Sequence, residues 1–383
     1  MLHSTHCTHF PWRQAIITIW TLLILFASSA TIKARPISED KACIMATKFY
    51  YMKLMGSDIA KAKSIKALDL IYSPLHGKEV SYTAPEYYIF APSNGKGFVI
   101  LAGDDRAEQL IVGYSTEKSI TLPLTSSIQG YLNCYAEYID ALRKGEAEPK
   151  PQHKAQPVAP LITTTWGQHN PYNYYCPTLN GKKLITGCVS TALAQIMKYH
   201  EWPHRGQGEC IAEIHNLDTL YSKVVLGEEY HWKKMKDHYK YSSRTKPNDV
   251  ALLMRDVGHA VHMQYSPVLS GAYSTDALIA LVEHFSYDHE AKQVHRLQYS
   301  DEEWNLLINT ELLAKRPIYY STRSTRFNGH ALIVCGIDEQ GLYYVNWGWG
   351  GNCDGYFDFD AVTNNGASYN YIQSAIINII PRQ

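Results

Sequence analysis

The chain has 383 residues, with 36 lysines and arginines balanced by 36 aspartates and glutamates. That balance leaves no basic field to attract nucleic acid or an anionic membrane surface, so neither is expected as a partner. Charged residues make up 19% of the chain and tyrosine is abundant at 29 residues, a composition that folds rather than stays disordered.

Residues 1–30 read as an export signal. Arg13 supplies a positive start, Ala15 to Phe26 is an apolar run too short for a comfortable membrane span, and Ser28-Ser29-Ala30 offers small residues for cleavage. A retained anchor is the competing reading, but no second apolar run of spanning length follows. No cysteine stands where a lipid would be attached, so an exported protein without a stable membrane anchor is expected. The remaining length suggests two domains.

Seven cysteines lie past this segment, at 43, 134, 176, 188, 210, 335 and 353. An odd number leaves at least one thiol unpaired, and no CxxC pair or zinc set is present. His200 and His204 have metal-ligand spacing, but Pro203 lies between them, and no metal or cofactor is expected.

Residues 31–144 read as a small α+β unit. Ala42 to Met55 is helical in pattern. Tyr87 to Phe90 and Phe98 to Ala102 flank Asn94-Gly95 as a hairpin, a strand follows near Leu110 to Tyr114, and Ile128 to Leu142 is an amphipathic helix. Asp104-Asp105-Arg106 has no nucleophile nearby and reads as turn chemistry. Gly145 to Pro160 then carries four prolines and little to bury, as an exposed linker does. Such a segment is either a protease-cleavable connection after a removable pro-domain or an ordinary hinge.

Leu161 to Thr165 is strand-like and leads to Gln168. Thr186 to His200 places Cys188 at the mouth of a helix whose buried stripe is Val189, Ala192, Leu193, Ile196 and Met197, with Ser190, Gln195 and Lys198 on the other side. Thr186 is the candidate cap and Pro203 prevents continuation. Unpaired N–H groups and the helix dipole there favour thiolate, the form that attacks a carbonyl carbon. The plainer reading is a small buried hydrophobe. Gln168 has the chemistry to donate its amide to the oxyanion that such an attack creates, beside the N–H of Cys188; its plainer reading is a surface amide.

Val250 to Gln264 is an apolar helix whose His259 and His262 read as packing residues. Leu269 to Thr275 is a candidate cleft loop, Trp304 to Leu313 a short helix, and Pro317 to Thr322 a strand. Ala331 to Ile337 and Leu342 to Trp347 form a hairpin whose register pairs Ile333 with Asn346 and brings His330 opposite Trp349. His330 can therefore take the proton of Cys188 and later protonate a leaving amine, with Asn346 or Trp347 to orient or shield the imidazole. The separation of Cys188 from His330 falls within the roughly 130–150 residues of papain-like enzymes.

Gly187-Cys188-Val189 with Ala194 to His200, Gly329-His330-Ala331, Val345 to Gly351 and Asp354 to Phe357 together resemble the streptopain family (peptidase family C10) of secreted bacterial cysteine proteases. Gly97 to Ile100 and Gly103 to Arg106 are similar to that family's inhibitory pro-domain. The resemblance implies a zymogen with a papain-like two-lobed α+β catalytic domain over residues 161–383, one lobe helical and one a twisted antiparallel sheet, behind a pro-domain over 31–144 and a linker over 145–160. It implies Cys188 as nucleophile, His330 as base and Gln168 in the oxyanion hole. Trp347 is implied to pack beside the histidine where papain has asparagine, so Asn346 occupies the matching strand without a fixed role. The glycine-rich run Gly348 to Gly355, which includes Trp349, Gly350 and Gly351, is expected to form a mobile lip of the cleft. Protein or peptide substrates and the chain's own pro-domain are the expected partners, and no sorting or adhesion segment is expected after Pro381. A silent binding protein on the same scaffold and a cysteine acyltransferase are the alternatives.

Overall fold

The computed structural model describes residues 35–56, 65–74, 84–216, 218–239, 248–267, 269–324, 327–362 and 371–382. The expected export signal lies outside them. Among the described residues, no helix is long and apolar enough to cross a membrane.

The early part of the chain supplies helix α1 (Glu39–Met55), strands β1 (Asp69–Tyr72), β2 (Tyr87–Ala91), β3 (Phe98–Ala102) and β4 (Ile111–Ser115), and helix α2 (Ser126–Lys144). The Asn94-Gly95 hairpin is present: Gly95 has φ +71° and Ile89 pairs with Ile100. Helix α1 starts where the Ser38 hydroxyl accepts from the Lys41 N–H, and α2 stops at Gly145, which adopts φ 72°. Asp104 does more than turn the chain. Burial acts to raise its pKa, yet hydrogen bonds from Arg106 and Arg143 outweigh that and hold the carboxyl below its ordinary value.

The later part begins with the short pair β5 (Thr178–Leu179) and β6 (Lys182–Lys183), then helix α3 (Cys188–His200) and strands β7 (Glu209–His215) and β8 (Thr219–Val225). Helix α4 (Asp249–Ala260), β9 (Gln264–Tyr265), α5 (Ser274–Ile279), β10 (Lys292–His295) and α6 (Asp301–Leu313) follow. Strands β11 (Ile318–Ser324), β12 (Phe327–Ile337), β13 (Tyr343–Asn346), β14 (Gly355–Phe357) and β15 (Tyr371–Ile377) complete it.

Both parts build one ten-stranded sheet, ordered β1-β2-β3-β4-β14-β13-β12-β11-β15-β10. The join is β4 against β14, with Tyr114 opposite Tyr356 and Gly113 opposite Phe357. Only glycine fits at that crossing: a Cβ on Gly113 would lie 2.7 Å from Phe357, and one on Gly355 would lie 2.4 Å from the Tyr114 carbonyl oxygen. Successive side chains of a strand point to opposite faces, so the sheet has two cores. On one face, α2 and α6 cover Ile89, Ile100, Val112, Tyr320, Leu332, Val334 and Phe357 in a continuous cluster. On the other, α1 packs on Tyr88, Phe90, Val99 and Leu101, while α3 and α4 pack on Tyr319, Ala331, Ile333 and Cys335. Residues 36–383 accordingly form one compact unit.

Three local expectations change. Leu161 to Thr165 joins no ladder, because its backbone is taken up elsewhere: Leu161 N–H bonds the Cys335 carbonyl and Thr165 N–H that of Asp237, while the Thr164 carbonyl accepts from Asn346. The linker is exposed over much of its length, but Val158 is buried and exchanges both backbone hydrogen bonds with Ile337. Thr186 does not cap α3. Gly187 holds that position, and the Thr186 hydroxyl instead meets that of Thr191 at 2.9 Å.

Candidate active site

Gly187 turns the chain into α3 with φ +82°, a conformation that L side chains rarely adopt. A Cβ there would also lie 2.7 Å from the end of the Met263 side chain, which would have to move aside. Cys188 follows as the first helical residue, with no side chain bonded to the open N–H groups of that turn. The open N–H groups of a helix start favour thiolate. In the structure burial dominates and raises the Cys188 pKa, although the N–H groups of Ala331, Val189 and Cys188 act to lower it.

Strand β12 brings His330 to the same place. Cys188 and His330 line one cavity of about 400 Å³, together with Ser270 and Tyr273 of the predicted cleft loop and Tyr319 and Arg323 of β11. No hydrogen bond joins Cys188 to His330 among the described contacts. The His330 Nε2 lies 2.8 Å from the Trp347 carbonyl oxygen. A carbonyl only accepts, so Nε2 carries the hydrogen and the neutral ring presents Nδ1 as its free lone pair. Burial pushes the imidazole down to about 4, against the raising effect of that bond. Burial thus acts against the charged form of both side chains.

Two indoles flank the imidazole. Trp347 lies 6.1 Å from it at 21°, and Trp349 lies 5.6 Å away at 6°. The register behind this is the expected one, with Ile333 opposite Asn346. A bulge between Val334 and Gly336 shifts the rest of the hairpin. The glycine-rich lip is anchored rather than loose: Gly350 N–H bonds the Trp166 carbonyl, and Trp347 N–H bonds Asp354 Oδ1 at 2.9 Å. Gly351 sits tight against Thr165, 3.2 Å from where its Cβ would be. Burial raises the Asp354 carboxyl to about 7.

The early part of the chain reaches this cluster from its far side. Ser127, on α2, accepts the Trp349 indole N–H at 2.8 Å, and the Tyr131 ring packs edge-on against Trp347. Sequence reasoning did not find these contacts, since nothing in the pattern of α2 marks one serine over another.

Gln168 is buried, and its backbone carbonyl accepts the Thr186 N–H at 3.1 Å, tying its turn to the entrance of α3. Asn346 does not touch His330. Its amide bonds Thr164, Gln195 and the Gly348 N–H instead. Gln195, which the helical pattern put on the outer side of α3, is wholly buried, as is Ser190. His259 is a packing residue, bonded to Arg255 and Ser222. His200 meets Tyr287, and His204 pairs with Glu229.

Residues 166–357 match the Peptidase C10 family, and residues 34–139 match the Spi protease inhibitor family. Streptopain of Streptococcus pyogenes is 30% identical over 400 residues, covering 94% of this chain and 98% of that protein. The thiol protease/hemagglutinin PrtT of Porphyromonas gingivalis is 30% identical over 361 residues, 88% of this chain but 40% of its own length. Among solved structures, a prointerpain A fragment of Prevotella intermedia aligns with a TM-score of 0.69 at 31% identity, covering 83% of this chain and 100% of the fragment. Active interpain A aligns with a TM-score of 0.52 at 34% identity, over 61% and 99%.

A fold in which one sheet runs through the peptidase-like and the inhibitor-like parts, with these relatives, is that of a cysteine-type endopeptidase with its zymogen-like pro-domain. This chain belongs to the peptidase C10 family, and its likeness to streptopain runs over 94% of its length.

Proposed function

We propose that the chain is an exported zymogen whose Cys188 and His330 hydrolyse peptide bonds by an acyl-enzyme route. Residues 1–30 are the export signal, 31–144 the inhibitory pro-domain, 145–160 the cleavable connection and 161–383 the catalytic domain. The protein acts outside the cytoplasm on protein or peptide substrates.

His330 Nδ1 takes the thiol proton of Cys188, leaving a thiolate and an imidazolium. The sulfur attacks the scissile carbonyl carbon. The oxyanion formed is met by the Cys188 N–H and the Gln168 amide. As the C–N bond breaks, Nδ1 returns the proton to the departing amine. Water, deprotonated by the same nitrogen, then splits the thioester and frees the acid and the thiol.

The observation that carries this reading is that Cys188 and His330 open onto one cavity with the imidazole hydrogen on Nε2, so that Nδ1 is the available base. Latency follows from the same surroundings. The pro-domain packs behind the two indoles that flank the imidazole, through Tyr131 on Trp347 and Ser127 on Trp349, and so bears on the placement of His330.

A peptidyl epoxide that inactivates the processed enzyme tests the assignment. Its mass should appear on Cys188. Inactivation with the label on Cys176, Cys210, Cys335 or Cys353, the other cysteines of the catalytic domain, would contradict it.

A further inference from the structure

We propose that Asn346 and Gln195 form a positioning pair that fixes the plane and tautomer of His330 through the peptide joining Trp347 to Gly348. This rests on His330 being the base. That peptide faces two ways: its carbonyl takes the His330 Nε2 hydrogen at 2.8 Å, and its N–H donates to Asn346 Oδ1 at 3.0 Å. A peptide whose N–H is already donated is a stronger acceptor at its oxygen, so the Asn346 bond reinforces the one to the imidazole.

Asn346 is itself held from the nucleophile's side. Its Nδ2 donates to the Thr164 carbonyl at 2.8 Å and to Gln195 Oε1 at 3.1 Å, and Gln195 Nε2 lies 3.2 Å from Asn346 Oδ1. Gln195 Oε1 also accepts from the Thr164 hydroxyl at 2.9 Å and the Trp166 N–H at 3.0 Å. Every polar atom of both buried amides is engaged, which makes their orientation unique. Gln195 sits on α3, the helix that begins with Cys188. The thiol and the acceptor that orients the imidazole are thus set from one rigid element. Gly348 completes the fit with φ +72°, and Thr191 of α3 lies 3.2 Å from where its Cβ would be.

The pair acts on the reaction only through His330, so its test reads the ring itself. Imidazole ¹⁵N shifts of the full chain carrying Cys188→Ala, with His330 assigned by His330→Gln, should show a single Nε2–H tautomer. Adding Asn346→Ala should yield a mixture of tautomers, and in the chain that keeps Cys188 it should slow self-processing about 10- to 100-fold. An unchanged tautomer and unchanged processing overturn the proposal. If Asn346→Ala does not fold, Gln195→Leu decides, since it removes both of the bonds between Gln195 and Asn346 and leaves Asn346 its bonds to Thr164 and Gly348: wild-type behaviour there overturns the proposal equally. A chain with His330→Gln that still processes itself would remove the base assignment. An inert His330→Gln beside a normal Asn346→Ala removes only the positioning pair.

Discussion

At the residue scale, the same burial that keeps His330 neutral makes the precursor sensitive to acid. Its folded pKa of about 4 lies below the ordinary 6.5, so between those values the unfolded chain binds a proton that the folded chain refuses. Stability from this group is complete above about pH 6.5 and is lost as the pH falls toward 4. Asp354 and Asp358, raised by burial from 3.8 to about 7, act in the opposite sense and cost stability as they ionise with rising pH. The histidine contribution is therefore isolated by comparison. In urea unfolding of the Cys188→Ala chain, adding His330→Gln should remove up to about 3 kcal/mol of the stability lost between pH 7 and pH 4. Identical losses in the two chains would show that His330 is not held neutral.

At the element scale, the helix that begins with Cys188, the hairpin of β12 and β13 and the register of Ile333 with Asn346 were legible because apolar periodicity and turn spacing are local. Gln195 was misplaced for the same reason. Helical periodicity assigns an amide to the outer face unless a buried partner is known, and its partners Thr164, Trp166 and Asn346 come from distant segments. The joining of β4 to β14 was likewise invisible. A three-residue strand such as Gly355–Phe357 carries no periodicity, and the demand for glycine at 113 and 355 arises only once the two strands meet. Gly355→Ala, whose Cβ would meet the Tyr114 carbonyl oxygen, should therefore lower the Tm of the full-length Cys188→Ala chain by several degrees, the equivalent of about 1–3 kcal/mol for overpacking at a fixed backbone. Calorimetry showing an unchanged Tm would mean that the two strands do not pack as closely as described.

At the scale of the whole molecule, the pro-domain contributes strands and a helix to the sheet and core of the catalytic part instead of resting on its surface. Lys53 adds a polar tie, bonded to Asp338 at 3.0 Å and to Glu339 at 2.7 Å on the turn between β12 and β13. Composition did not reveal this fusion, because a proline-rich linker reads as a division whether or not the flanking units share a core. The linker itself remains the accessible stretch, up to the point where Val158 is paired with Ile337. The central claim is that Cys188, activated by His330, cuts its own chain in that stretch and then cuts other proteins. The direct test incubates the wild-type precursor beside Cys188→Ala and follows both by mass and N-terminal sequence. The wild type should convert to a shorter form beginning within or just after residues 145–160 and then digest casein, while Cys188→Ala stays full length. Conversion of the Cys188→Ala chain by itself, at the same rate, would contradict the account.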